Sequence, residues 1–178
     1  MKKFGVIFSL ALGLFCDSTF ANSNTATITF DAFLYKKTCD VNVSESAISY
    51  GKVKPKTIID NDAKTSTELN RDITLTLANC RGSGTLSGSK VIVNGKSQII
   101  NGESLFKESG SSDGVGIRLI SGTKIKQDGD SVWDLISTSG TNSKQKITAA
   151  LSCGDCQDVK LIKAGSFRAT MTFTVLAY

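Results

Sequence analysis

The sequence predicts an all-β sandwich, on three observations. Apolar and polar residues alternate with a period of two in one segment after another. Turn signals rich in Gly, Ser, Asn and Asp separate those segments at short intervals. No stretch keeps a 3.6-residue apolar period over three turns.

Taken in order, the chain opens with Lys2 and Lys3, an apolar run "FGVIFSLALGLF", and small residues at Thr19 and Ala21. That is the pattern of a signal peptide, and residues 1–21 are expected to be removed by cleavage after Ala21. The run is shorter than the roughly 20 residues needed to cross a bilayer, and nothing later is longer. Cys16 follows the bulky Phe15, which argues against a lipid-anchored form. The expectation is an exported chain that does not span a membrane. Losing Lys2, Lys3 and Asp17 lowers the formal charge from +5 to +4 on the 157 residues left of 178. That charge is dispersed, without the Lys/Arg block that phosphate binding needs, so a nucleic-acid partner is not expected. The remaining length suits one domain with a sizeable core.

"TATITFDAFLY" (25–35) sets Ala26, Ile28, Phe30, Ala32 and Leu34 on one edge, with Thr25, Thr27, Thr29 and Asp31 on the other. Further strands are expected at 41–49, 72–80, 90–100, 114–121, 131–137 and 144–153. Asn94-Gly95 reads as a tight hairpin turn. "SGSSDG" (109–114) and "STSGTNS" (137–143) read as loops. "GVG" at 114–116 reads as close strand packing or a bulge. "SFRATMTFTVLAY" closes the chain with Phe167, Ala169, Met171, Phe173, Val175 and Ala177 on one side, against Arg168, Thr170, Thr172 and Thr174. The single proline, Pro55, leaves long strands uninterrupted.

The chain has no histidine. Ser/His/Asp and Cys/His nucleophiles and His-bearing zinc sites are therefore excluded, and no cofactor or metal is expected. Trp133 and Phe106 read as core rather than as a sugar platform. Four cysteines remain after cleavage, which allows three pairings; the pairing expected is Cys39–Cys80 with Cys153–Cys156. "CGDC" also invites a redox reading, but that chemistry needs the first Cys at a helix N-terminus, and here the flanks are strand-like. Two rivals stand beside a structural role: a periplasmic thiol oxidoreductase using Cys153 and Cys156, and a self-contained carbohydrate-binding sandwich.

Taken together these residues resemble the subunits of chaperone–usher fimbriae of the type 1 pilus kind. The resemblance rests on "TITFDAFLYKKTCDV", on the second Cys about 40 residues later in "LTLANC", on "DGVGIRLIS" followed by "GTKIK", and on "AGSFRATMTFTVLAY". In that last segment Gly165 is the fourteenth residue from the end, ahead of alternating apolar residues and a near-terminal aromatic. Two positions depart from the family pattern. Tyr178 is last where the family aromatic is usually penultimate, and Ala32 stands where the donor segment usually has glycine.

The resemblance implies an incomplete immunoglobulin-like Greek-key sandwich that lacks its last strand. A donor strand from a neighbouring subunit would complete it. It divides the chain into a signal peptide (1–21), an N-terminal extension acting as donor strand (22–35) and a pilin domain (36–178). Ala26, Ile28, Phe30, Ala32 and Leu34 would be the donor residues. Gly165, Phe167, Ala169, Met171, Phe173, Val175 and Tyr178 would form the acceptor groove and chaperone-binding strand. The implied partners are a periplasmic pilus chaperone, an outer-membrane usher and neighbouring fimbrial subunits. The implied role is a structural or adaptor subunit, without catalytic activity, of an adhesive fimbria on the cell surface.

Overall fold

The computed structural model describes residues 37–178, so the extension and its apolar residues Ala26, Ile28, Phe30, Ala32 and Leu34 lie outside the described residues. Ten strands follow in the order β1 (Lys37–Val43), β2 (Asn70–Gly82), β3 (Lys90–Asn94), β4 (Ser97–Ile100), β5 (Glu103–Phe106), β6 (Gly116–Ser121), β7 (Lys124–Lys126), β8 (Ser131–Asp134), β9 (Lys144–Ser152) and β10 (Thr172–Leu176). A larger sheet is ordered β1-β2-β9-β6-β5-β4, with β7 paired to β6, and a smaller sheet is ordered β10-β3-β8. Every pairing is antiparallel.

Period-two alternation places the core. Ile73, Leu75 and Leu77 of β2, Ile117 and Leu119 of β6, and Ile147 and Ala149 of β9 face inward from the larger sheet. Val91 and Val93 of β3 and Val132 of β8 join the same core from the smaller one. Phe106 is buried among them and so offers no open ring face for a sugar, and Trp133 is half-buried against them.

Two local expectations are corrected, and one short element adds to them. Asn94-Gly95 is no hairpin, because β3 belongs to the smaller sheet and β4 to the larger. The chain crosses between layers there, with Gly95 N–H donating to Asp128 Oδ1 at 2.9 Å. The tight turn instead uses the next Asn-Gly pair, Asn101-Gly102, both at positive φ between Ile100 and its partner Glu103. The expected strand at 41–49 shifts to Lys37–Val43. Ser44 ends it, its N–H donating to Thr74 O and its Oγ accepting from Thr74 N–H. Pro55 starts a helix, α1 (Pro55–Asp62), at a position where its missing N–H does no harm. Two turns are too short for a helical period to show in the sequence.

Cys39 is bridged to Cys80 and Cys153 to Cys156, at sequence separations of 41 and 3. The first bridge joins the edge strand β1 to β2. Chain-entropy scaling with loop length puts the Cys39–Cys80 bridge at about 4 kcal/mol and the Cys153–Cys156 bridge at about 2 kcal/mol. Urea unfolding of the two Cys→Ser double variants checks that order.

The outer face of the larger sheet carries a second buried layer under α1 and the Cys153–Cys156 loop. Asp62, at the end of α1, accepts from Cys153 N–H at 2.8 Å, Ser152 Oγ at 3.0 Å and Asp155 N–H at 3.2 Å. Arg118 of β6 reaches Asp62 at 3.3 Å and Asp155 at 2.9 Å, and also pairs with Glu103. Desolvation by burial pushes the Asp62 carboxyl above its ordinary pKa, against the opposing pull of the Cys153 N–H and Arg118.

Candidate functional site: the open edge of the last strand

β10 is an edge strand, paired on one side only with β3. The stretch leading into it is held on that same side by residues 108–113. Arg168 N–H donates to Ser109 O at 2.9 Å, Glu108 N–H to Arg168 O at 2.9 Å, and Ser112 N–H to Ser166 O at 2.9 Å. So "SGSSDG" is not a free loop but the neighbour of the final segment. The buried Lys107 braces it from within, its Nζ donating to Ser112 O at 2.8 Å.

Gly165 has a defined reason to be glycine. A Cβ there would lie 2.4 Å from Ser112 N and 2.5 Å from Ser111 C, so the two backbones could not approach as they do. Gly165→Ala is expected to destabilise the fold by about 1–3 kcal/mol. A lower urea midpoint with an unchanged slope would show it.

The other side of the edge has a regular chemical pattern. Phe167, Ala169, Met171, Phe173 and Val175 are all half-buried and packed against the core, while Arg168, Thr170, Thr172 and Thr174 are exposed. Inward residues of β2 and β3 such as Leu75 and Val93 are fully buried. The apolar line of the last segment is thus covered only in part.

Its backbone is turned the same way. Val93 spends its N–H on Asp130 O at 3.0 Å and its C=O on Gly129 N–H at 2.8 Å, both toward β8. Phe173, its partner in register, therefore directs its own N–H and C=O away from β3. Even-numbered Ser166 and Arg168 bond inward, so the odd-numbered residues turn their backbone polar groups to the outer edge while their apolar side chains line the core face beside it. Among the described residues no strand lies along it.

The facing wall comes from the edge of the larger sheet, where Cys39 is buried and Val41 is half-buried against the core. Val41 escaped the reading of the sequence because its alternation continues a strand that could equally be internal. Tyr178 stands apart from the line at 78% exposure, its N–H donating to Ser89 Oγ at 3.4 Å.

The Cys153–Cys156 bridge offers no redox centre. Both cysteines are buried, and the loop follows β9 rather than opening a helix, so an incoming thiolate meets neither an accessible sulfur nor a stabilised leaving thiolate. Among the described residues there is no cluster of side chains suited to a metal ion. No helix there is long and apolar enough to cross a membrane.

Among solved structures, the chain is similar to the P pilus rod subunit PapA, with a TM-score of 0.54 and 16% identity, over 85% of this chain and 100% of that one. A structure of the P pilus adaptor subunit PapF matches with a TM-score of 0.42 and 15% identity, over 79% of this chain and 95% of that one. No curated sequence is close enough to count as a match. The family model described as "Fimbrial protein" matches residues 16–176, nearly the whole chain, and the chain therefore belongs to the fimbrial protein family, as a structural subunit of a fimbria.

Proposed function

We propose that this chain is built into its fibre by donor-strand exchange, assembled along the chaperone–usher route. The body, residues 36–178, receives a strand from a neighbouring subunit along the outer edge of β10. The extension, residues 22–35, leaves its own body and enters the next groove with Ala26, Ile28, Phe30, Ala32 and Leu34 facing in. Before assembly a periplasmic chaperone covers the edge, and an outer-membrane usher passes the subunits to the cell surface. The chain is a building unit that supports adhesion through the fibre, and not a catalyst.

One observation carries this reading. The residues at 167, 169, 171, 173 and 175 offer half-covered apolar side chains and outward backbone groups on one and the same edge. Buried backbone N–H and C=O groups need partners, and an exposed apolar edge invites pairing with any passing strand. An added strand satisfies both demands at once.

The test is deletion of residues 22–35 behind an intact signal peptide. The shortened chain is expected to be exported yet to pass no strand onward, so that fibres built from it are lost from the cell surface. Fibres of normal length and number containing the shortened chain would contradict the reading.

A further inference from the structure

Arg71 stands where the alternation calls for an apolar side chain. Leu69, Ile73, Leu75 and Leu77 share its two-residue spacing and are all buried, and its register partner is the buried Ala149. Arg71 itself is half-buried. An arginine drawn into a fold is normally met by a carboxylate. Among the described residues no carboxylate lies within ion-pair distance of Arg71.

The guanidinium is nevertheless held still. Its Nη1 donates to Glu68 O at 2.7 Å and to Asn70 O at 2.8 Å. Its central carbon sits 5.3 Å from the centre of the Tyr50 ring. Tyr50 is fixed in turn, its hydroxyl donating to Ala149 O at 3.0 Å. Those contacts leave the Nε and Nη2 edge over, which in an arginine can bind a carboxylate through two parallel hydrogen bonds.

Arg71 lines a cleft of about 270 Å³ together with Tyr50, Lys52, Lys54, Thr57 and Glu68. Val53 packs against the core between Lys52 and Lys54, and both lysines are exposed. Lys56 is already engaged, its Nζ paired with Asp60 at 2.8 Å. Three cations against the single carboxylate of Glu68 leave the cleft net positive.

We propose that this cleft binds an acidic sugar, a uronic or sialic acid at the end of a glycan. Arg71 takes the sugar carboxylate, and Lys52 and Lys54 add attraction at longer range. Thr57 and Glu68 meet the hydroxyls. Glu68 is what selects a sugar. A carboxylate repels a dense anion such as phosphate or a sulfated polymer, but it accepts hydrogen bonds from hydroxyl groups. The cleft is smaller than the roughly 300–1,000 Å³ of a drug-sized pocket, so it takes one terminal sugar and leaves the rest of the glycan outside. This site goes beyond the assembly of the fibre, and none of its lining residues belongs to the last segment.

The full chain, expressed with its export machinery and recovered as fibres, is tested by ligand-observed nuclear magnetic resonance. Glucuronic acid and N-acetylneuraminic acid are the probes, with glucose and acetate as controls. Binding of either acid roughly tenfold tighter than both controls is expected. Arg71→Gln should weaken it about tenfold or more, and Arg71→Lys should restore only part of the loss. Lys52→Gln with Lys54→Gln should weaken it several-fold and flatten its salt dependence. Lys56→Gln should change little. Fibre yield reports folding, and the exposed Lys52 and Lys54 decide the matter even where Arg71→Gln yields no fibres. Glucose or acetate binding as tightly as the acids would overturn the acidic sugar as ligand. Binding that survives both Arg71→Gln and the double lysine variant, or no binding of either acid at millimolar concentration, would overturn the site.

Discussion

Residues 36–178 produced alone are expected to melt low or aggregate, and a peptide of residues 22–35 to raise the melting temperature by on the order of 10 °C. The magnitude follows from what the peptide buries. Ile28, Phe30 and Leu34 each contribute roughly 1.5–3 kcal/mol on full burial. Ordering the peptide and losing its translational freedom offset part of that. The outward backbone groups at 167–175 gain partners as well, and no described strand supplies those. Thermal unfolding by circular dichroism, with a peptide carrying Phe30→Asp as control, checks the effect. A truncated body that is stable, monomeric and indifferent to the peptide would point to a complete sandwich.

Arg118→Met is expected to be among the most damaging single changes remote from the groove, at about 3–5 kcal/mol. Arg118 is buried and reaches Asp62, Asp155 and Glu103, so its loss strands carboxylates without a cation. Asp62 is the most exposed to this, because burial already pushes its pKa up in the folded state. The sign of the pH dependence follows. A carboxyl whose folded pKa is raised above its unfolded value favours folding when protonated, and that advantage fades as pH rises through the folded pKa. Without Arg118 the folded pKa rises further. The deficit of Arg118→Met should therefore be largest near neutral pH and shrink toward the acidic carboxylate range. A deficit that is the same at pH 5 and pH 7.5 in urea unfolding would mean that Asp62 does not carry it.

Much of this architecture could be read from local pattern. β2 alternates over Ile73–Leu77 and β9 opens on the same pattern, and the expected 72–80 and 144–153 lie within or within one residue of their observed spans. The last segment declared its apolar side equally plainly. What local pattern could not convey was which layer a strand joins. Asn94-Gly95 and Asn101-Gly102 are the same dipeptide, yet one crosses between sheets and the other turns a hairpin, because Asp128 holds the first from outside. The helix α1 was hidden by its length. The Arg118 cluster was hidden by distance, since its partners stand 15, 37 and 56 residues away.

The groove shows the same division. Alternation names the residues at 167–175, but only the fold shows that they are half-covered while comparable residues of β2 and β3 are fully buried. The second wall, with Val41, likewise needs β1 to be placed at the edge of the larger sheet.

The most direct measurement is residue-resolved amide hydrogen exchange along 167–176, in the body of residues 36–178, with and without the 22–35 peptide. Thr174 and Leu176 pair with Ile92 and Lys90 of β3 and should be protected in both states. Phe173 and Val175, turned outward, should exchange fast without the peptide and slow sharply once it is bound. Protection of the odd-numbered amides in the body alone, unchanged by any added strand, would contradict an open edge and with it the donor-strand mechanism.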